Sequence, residues 1–421
     1  MTKFAAPARS ARFIELDSLR GLAALNVVLY HLQILRVRDN QPSSPIVRSF
    51  LMQMAPSGTE AVILFFVLSG FVLSLPALAQ KPQSYFTFMV RRIFRIYVPY
   101  LAAIAVSVAG AYWLHGTVID NAWFNQSWSE PVNWRLVGQH VLFVGVYDHN
   151  QFDNPIWSLI HEMRISLVFP WMCALVLLVK NRWSAAIAAG LTVVAFAINK
   201  WPLLVHWELP DSIFYAALFV LGIVLARERK KLSAWFSHRQ RFTKILIAMA
   251  CVWLYLFAGP ELANASGRFL AHAVWYISHW ITALGAGGLI ILSINAQRWQ
   301  KILAWGPIHL LGKMSYSLYL WHFVVLLYCV HLLYGRAPLG AILILAFVLS
   351  IVVSWCSYRW IELPSIALGR KLSNIRWTRP KKVKTQGEGD RQLAPKSGPK
   401  SGPTPAVDTP ESDAVGRTSP A

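Results

Sequence analysis

The sequence predicts an all-α fold, a polytopic integral membrane bundle of about ten transmembrane helices followed by a disordered C-terminal tail. Hydrophobic residues make up 56% of the 421 residues, and the mean hydropathy is +0.44, which is too apolar for an ordinary soluble domain. The apolar runs repeatedly reach the length of about 20 residues that a helix needs to span a bilayer.

Ten apolar segments have this length, and their polar flanks indicate where each one ends. The predicted spans are 14–35, 60–79, 96–115, 156–179, 183–199, 212–226, 243–259, 271–294, 307–333 and 339–360. A further apolar stretch, residues 136–147, is short and would invert every later loop if it crossed the bilayer. We therefore expect it to be interfacial or re-entrant.

The distribution of positive charge predicts that both chain ends are cytoplasmic. Of the 40 Lys and Arg residues, 28 fall in segments that this topology places inside, seven fall outside and five lie within spans, two of them (Lys244 and Arg359) at cytoplasmic span ends, as the positive-inside rule requires. The net charge of +21 is then explained by topology and by anionic lipid at the inner leaflet, so we exclude nucleic acid as a partner.

Composition divides the chain into two parts. Residues 1–370 are expected to form the transmembrane domain. Residues 371–421 are basic and rich in Pro, Gly and Ser, with KSGP repeated at 396–399 and 400–403. Such a segment cannot bury a core, so we expect it to be a disordered cytoplasmic tail.

The first predicted span contains two ionisable residues, Arg20 and His31, eleven positions apart. Eleven steps of about 100° end about 20° past three full turns, so both side chains project from one helix face. His31 would lie about 16 Å deeper than Arg20, close to the bilayer midplane, with Arg20 near one surface. Ionisable groups at such depth are costly unless they line a polar cavity, which makes both functional candidates. The structural alternative is that Arg20 snorkels to the headgroups and His31 is a hydrogen-bonded packing residue.

A set of motifs in a fixed order supports the functional interpretation. The motifs are ELDSLRGLAALNVVLYHL (15–32), GTEAVILFFVLSGFVLS (58–74), RRIFRIYVP (91–99), NPIWSLIHEMRISLVFP (154–170), and LGKMSYSLYLWH (311–322) with YRWIELP (358–364). Together they resemble the acyltransferase-3 family, membrane enzymes that O-acylate cell-surface glycans, lipopolysaccharide, Nod factors, peptidoglycan and some antibiotics.

The resemblance implies that the Arg20–His31 pair is essential, that the histidine acts on the acyl group and that the donor is an acyl-coenzyme A from the cytoplasm. Acyl-coenzyme A would be a co-substrate, with no permanently bound cofactor. Arg20 would hold a phosphate while the pantetheine arm runs to His31 past the small side chains of Ala24 and Val27. His31 would either remove the proton of the acceptor hydroxyl or carry the acyl group as an acyl-imidazole.

Further candidates lie in the other motifs. The resemblance assigns Arg92 and Arg95, three residues apart, to the donor phosphates, whereas on topology alone they would be anchors. Glu162 is expected near the outer end of the fourth span, where it would orient His31 or the acceptor. The alternative role of Glu162 is an ion pair with Arg164.

Secondary candidates are polar or aromatic residues of the same motifs. Trp157 and Ser158 match the fourth-span motif. Ser315, Tyr319 and His322 fall at i, i+4 and i+7 and form one polar stripe. Interhelical hydrogen bonding would equally explain these residues.

Other motif residues are expected to have structural roles. Ser69 and Gly70 would allow close helix packing. Glu362 would be structural and cytoplasmic, and Pro364 would end the last helix. The remaining histidines lack the spacing of metal ligands, so no metal is proposed.

These expectations combine into an O-acyltransferase of the bacterial inner membrane. It would move an acyl group, which we expect to be acetyl, from cytoplasmic acyl-coenzyme A to a hydroxyl of an extracytoplasmic glycan or glycolipid. Its partners are acyl-coenzyme A, this acceptor and membrane lipid. One alternative is a secondary transporter, because intramembrane His, Glu and Arg also mark substrate paths, although the sequence lacks matching repeated halves. Another is acylation of a small molecule such as a macrolide.

Overall fold

The computed structural model describes residues 13–36, 58–145, 147–199, 208–259 and 271–374, and this part of the chain is helical with no strand. The chain divides into units Met1–Ile375 and Arg376–Ala421, and the second unit, with most of the predicted tail, lies outside the described residues. The helices are α1 Ile14–Ile34, α2 Gly58–Leu78, α3 Tyr85–Leu114, α4 Trp134–Leu142, α5 Trp157–Leu178, α6 Asn181–Ile198, α7 Leu209–Ser237, α8 Arg241–Trp253, α9 Ala271–Asn295, α10 Gln297–Leu303, α11 Gly306–Lys313, α12 Ser315–Leu333, α13 Leu339–Ser357 and α14 Leu363–Ser373.

The predicted membrane bundle is confirmed. Within the described ranges, nine helical segments are long and apolar enough to cross a bilayer. The first predicted span corresponds to α1, which is 21 residues long like α2 but is not among these nine, because Glu15, Asp17 and Arg20 lower its hydropathy. The predicted interfacial stretch contains α4, a helix of nine residues, which is too short to span the hydrocarbon core.

The last two spans differ in detail from the prediction. The ninth is interrupted at Met314, which separates α11 from α12. The tenth continues beyond Pro364, because a π-helical turn over Tyr358–Glu362 places this proline in the first turn of α14. A missing N–H costs little at that position, so the expectation that Pro364 ends the helix is wrong.

Two close helix crossings hold the bundle together around the site. Gly70 of α2 and Gly222 of α7 face each other's backbones, and a Cβ atom at either position would clash with main-chain atoms of the other helix. Gly21 of α1 and Gly312 of α11 make a similar crossing. The close-packing role expected for Gly70 is therefore confirmed.

We call the face of the bundle where α1 begins the proximal face and the face where α1 ends the distal face. The segment between α3 and α5 covers the distal end of α1. Its Asn121 amide donates a 3.0 Å hydrogen bond to the carbonyl oxygen of Ile34. Trp128 of the same segment is fully buried and donates from its indole nitrogen to Ser107 of α3 at 3.1 Å. This segment fixes the distal surroundings of His31.

Candidate functional site

A cavity of about 460 Å³ lies among α1, α2, α3, α5 and α12. At the proximal face its wall includes Pro82 and Gln83 of the exposed turn between α2 and α3. Inside the bundle its wall includes Ser158 and Tyr319. Among the described residues that line it, the charged groups are Arg20, Arg91, Arg92, Arg95 and Glu162. We call this space the arginine cavity.

Arg92 and Glu162 form an ion pair in the wall of the arginine cavity. The Arg92 Nη2 atom donates to Glu162 Oε1 at 2.8 Å, and the two side chains are only 8% and 17% exposed. Arg92 also donates to Ser166 Oγ from Nε and from Nη2, at 3.1 and 2.8 Å. Ser69 Oγ donates to the same carboxylate oxygen at 3.1 Å. The charge of Arg92 is therefore already balanced by an acid.

Arg20 and Arg95 differ from Arg92 in this respect. Neither guanidinium makes a hydrogen bond or ion pair with any of the described residues, yet both line the cavity. Arg91 donates to Ser373 Oγ at 3.0 Å and to Asn374 Oδ1 at 3.1 Å, which are neutral acceptors. Cations inside a bundle are costly without counter-charge, so this cavity is suited to an anionic ligand.

The position of Glu162 decides between its expected partners. Its carboxylate is bonded to Arg92 and Ser69. Arg164 points away from it and instead lies 3.7 Å from Glu208. The alternative in which Glu162 pairs with Arg164 is therefore wrong, and within the described residues no hydrogen bond joins Glu162 to His31.

The inner end of the arginine cavity is a hydrogen-bonded cluster. The Tyr319 hydroxyl donates to the carbonyl oxygen of Pro155 at 2.7 Å and accepts from Ser158 Oγ at 2.7 Å. The ring of Phe65 meets the Tyr319 ring edge-on, with centroids 5.7 Å apart. Ser315, one turn before Tyr319, also lines the cavity. Two residues of the predicted polar stripe thus share this wall.

His31 pairs with His322 beyond this cluster. His31 Nδ1 lies 2.9 Å from His322 Nε2, and the indole of Trp123 stacks on the His31 ring at 5.3 Å between centroids. His322 lies next to the cavity wall, with its ring centroid 6.1 Å from that of Tyr319. Neither histidine lines the arginine cavity itself.

The hydrogen bonds of this pair assign its tautomer. His322 Nδ1 lies 3.1 Å from the Leu318 carbonyl oxygen, and a carbonyl only accepts, so Nδ1 carries the proton. In the neutral ring His322 Nε2 is then an acceptor, and His31 Nδ1 must donate to it. The free lone pair of His31 is consequently on Nε2.

Arg20 and His31 lie in different surroundings along α1. Arg20 is the seventh residue of α1 and lies inside the bundle, where it interacts electrostatically with the acids Asp17 and Glu162 and with Arg92 and Arg95. His31 lies in the last turn of α1, towards the distal face. Ala24 is fully buried and Val27 is 2% exposed, and neither lines the cavity, so the expected groove along α1 is absent from this part of the structure.

Three features of the site were not anticipated from the sequence. Arg91 and Tyr316 line the arginine cavity, and Trp123 stacks on His31. The sequence signal for Arg91 is that it directly precedes Arg92 in RRIFR, because neighbouring helix positions can both reach a broad cavity. Tyr316 and Trp123 carry no local signal, since only tertiary packing brings them to the site.

Trp157 lies apart from the arginine cavity. Its ring meets those of His161 and Tyr215, with centroids 5.9 Å away in both cases. Ser158, the next residue, faces the cavity, as expected for side chains about 100° apart on one helix. In the part of the chain that the structure describes, no group of three or more His, Cys, Asp or Glu residues is placed to hold a metal ion.

Comparison with known proteins identifies the family to which this chain belongs. A family model described as an acyltransferase domain matches residues 13–359. BcsY of Komagataeibacter xylinus, named as a membrane-bound transacylase, is 24% identical over 368 residues, covering 83% of this chain and 81% of that protein. The peptidoglycan O-acetyltransferase OatA of Listeria monocytogenes is 24% identical over 380 residues, covering 83% of this chain. The acyltransferase MdmB of Streptomyces mycarofaciens is 27% identical over 401 residues, covering 87% of this chain and 95% of that protein.

The coverage of the relatives is uneven. This chain spans about half the length of the peptidoglycan relatives, 54% of YrhL of Bacillus subtilis and 55% of Listeria OatA. No solved structure matches.

Proposed function

Because this chain belongs to the acyltransferase-3 family of membrane acyltransferases, we propose that it moves an acetyl group from acetyl-coenzyme A to a hydroxyl of a glycan or glycolipid. In this proposal the protein lies in a bacterial inner membrane, its proximal face is cytoplasmic and its distal face meets the acceptor. The names of the O-acetyltransferase relatives support acetyl as the group transferred.

The observation that carries the proposal is the unbalanced charge of the arginine cavity. Arg20 and Arg95 line it without a hydrogen-bonded or ion-paired partner among the described residues. A ligand with several phosphate groups supplies the missing negative charge, and guanidinium forks match phosphate oxygens in pairs. Coenzyme A is such a ligand, and the cavity reaches the proximal face, where the donor would enter.

The spacing of the site suits a donor with a long arm. The eleven residues from Arg20 to His31 correspond to about 16 Å along α1, a span that an extended pantetheine arm can cover. The cluster of Tyr319, Ser158 and Pro155 lies on this route. For the thioester to reach His31, we propose that the Tyr319 ring moves aside when the donor binds.

The chemistry assigned to His31 follows from its tautomer. In direct transfer, Nε2 takes the proton of the acceptor hydroxyl as its oxygen attacks the thioester carbonyl. A C–O bond forms, the C–S bond breaks, and the coenzyme A thiolate receives the proton back from the imidazolium. His322 Nε2 accepts from His31 Nδ1 throughout, which stabilises the positive charge on the ring. The route through an acyl-imidazole uses the same nitrogen as nucleophile.

The first experiment measures acetyl transfer by the purified protein in detergent, using labelled acetyl-coenzyme A and candidate glycan acceptors. Arg20→Gln and Arg95→Gln should each raise the KM for acetyl-coenzyme A by about 10- to 150-fold, the cost of one charged hydrogen bond. His31→Ala should abolish transfer while the protein still inserts and purifies normally. Arg135→Gln removes an exposed arginine of α4 outside the cavity and should change neither quantity.

Three results would contradict the proposal. An unchanged KM in both cavity variants would exclude the phosphate contacts, and an active His31→Ala variant would exclude the histidine mechanism. Detergent removes the membrane barrier, so label that never reaches any acceptor would favour a transporter instead. Mass spectrometry of surface glycans from cells with and without the gene then identifies the acceptor.

A further inference from the structure

A second cavity, of about 190 Å³, lies between α7, α8 and α9 near the proximal face. Its wall is apolar apart from one thiol, and its residues are Leu221, Leu225, Leu232, Trp235, Phe236, Ile247, Cys251, Leu284, Gly287, Gly288, Ile291 and Leu292. Leu284 and Trp235 are 57% and 50% exposed, so the wall reaches the outer surface of the bundle. We call this space the α7–α9 groove.

Two cations lie against aromatic rings that form one end of this groove. The Arg239 guanidinium is 4.6 Å from the ring centre of Trp235. The Lys244 ammonium is 5.5 Å from the ring centre of Phe236, and it donates one hydrogen bond, of 2.9 Å, to the carbonyl oxygen of Ser237. An ammonium has three donors, so Lys244 keeps two for another group. The groove therefore combines an apolar slot with positive charge at its end.

The helix on one side of the groove, α8, packs on α9 around Cys251 but leaves much of the rest of its surface uncovered by protein. No residue of α8 between Arg241 and Trp253 is buried, although its Ile247 and Cys251 face the groove. In a membrane protein such a helix is packed by lipid where protein is missing. The occupant of the groove should thus be an amphiphile of the surrounding leaflet.

We propose that the α7–α9 groove binds an anionic phospholipid, with one acyl chain in the apolar slot and the phosphate at Arg239 and Lys244. Charge complementarity selects an anionic headgroup, because basic residues at the end of an intramembrane groove attract such lipids. The apolar wall selects a lipid over a free phosphate. This site is separate from the arginine cavity and does not depend on the proposed acetyl transfer.

The test uses quenching of Trp235 fluorescence by brominated lipids in detergent micelles. Trp235 contributes the difference in signal between the native protein and Trp235→Phe. Brominated phosphatidylglycerol should quench this component at a lower mole fraction than brominated phosphatidylcholine. The double variant Arg239→Gln, Lys244→Gln should lose this preference for phosphatidylglycerol, because its affinity for that lipid should fall about fivefold for each charge removed.

Matched controls separate the headgroup from general charge and from the slot. The double variant Arg298→Gln, Lys301→Gln removes two charges of α10 that are exposed and outside the groove, and it should keep the preference. Leu284→Phe narrows the slot and should weaken quenching by both lipids. Equal quenching by the two lipids in the native protein would overturn the proposal, as would a preference that survives the loss of Arg239 and Lys244. Competition by glycerol 3-phosphate at similar concentration would show a site for free anions instead.

Discussion

The pair of His31 and His322 gives the sharpest prediction. The bond of 2.9 Å between the two rings is neutral at rest and becomes a charged hydrogen bond when His31 accepts a proton. Bonds to a charged group contribute about 1.5 to 3 kcal/mol. Replacing His322 with Leu removes the acceptor, so kcat for acetyl transfer should fall by about 10- to 150-fold at about 1.36 kcal/mol per factor of ten. The KM for acetyl-coenzyme A should change little, because His322 does not line the arginine cavity.

The conservative variant distinguishes positioning from packing. His322→Gln keeps an acceptor oxygen near the former position of Nε2, so it should restore much of kcat relative to His322→Leu. His331→Gln changes another histidine of α12, one bonded to the Leu327 carbonyl oxygen at 2.9 Å, and serves as the control. Steady-state kinetics with labelled acetyl-coenzyme A measures both parameters. A His322→Leu variant with native kcat, or Gln and Leu variants that are equally impaired, would refute the tautomer argument.

Two further predictions concern stability. Burial lowers the pKa of His140 to about 4, whereas the unfolded chain takes up this proton near pH 6.5; the free energy of unfolding should therefore fall as the pH drops through this window, by about 2 kcal/mol at pH 5. Unfolding in detergent at pH 7 and pH 5 measures this loss of stability. The loss should disappear in His140→Gln. It should persist in His238→Gln, which changes an exposed histidine. Gly222→Leu would drive a side chain into the backbone of α2 and should abolish the folded peak in size-exclusion chromatography. Gly190→Leu, where nothing lies within 4 Å, should leave that peak intact, and a folded Gly222→Leu protein would disprove the close crossing.

Most of the membrane architecture could be predicted because hydrocarbon thickness dictates the length of each apolar run. The interruption at Met314 was missed, because Gly312, Lys313 and Ser315 beside it were treated as polar exceptions inside one long apolar run. The helix beyond Pro364 also escaped prediction, because the preceding π-helical turn depends on packing rather than on a local signal. Proline is a poor stop signal in this bundle, since Pro76, Pro99 and Pro170 also lie inside helices.

Some residues that line the arginine cavity were singled out from the sequence, but their pairings were not. Helix periodicity correctly placed Ser315 and Tyr319 on one wall, because the i, i+4 relation is local. The partner of Glu162 is on α3, 70 positions away in sequence, and no local pattern indicates which arginine it meets. The contact between His31 and His322 joins residues 291 positions apart and likewise becomes visible only in the folded bundle.

The edge-on contact of Phe65 and Tyr319 also bears on the permeability of the membrane. Guanidinium groups attract small anions, and a water-filled pore lined by them from one face to the other would conduct chloride and dissipate the membrane potential. Among the described residues, those lining the arginine cavity toward the distal face include Val62, Ser158 and this aromatic pair. The contact between the two rings lies at the inner end of this cavity, where it obstructs an anion that enters from the proximal face. The protein can thereby keep several cationic groups inside the bilayer at less risk of a leak.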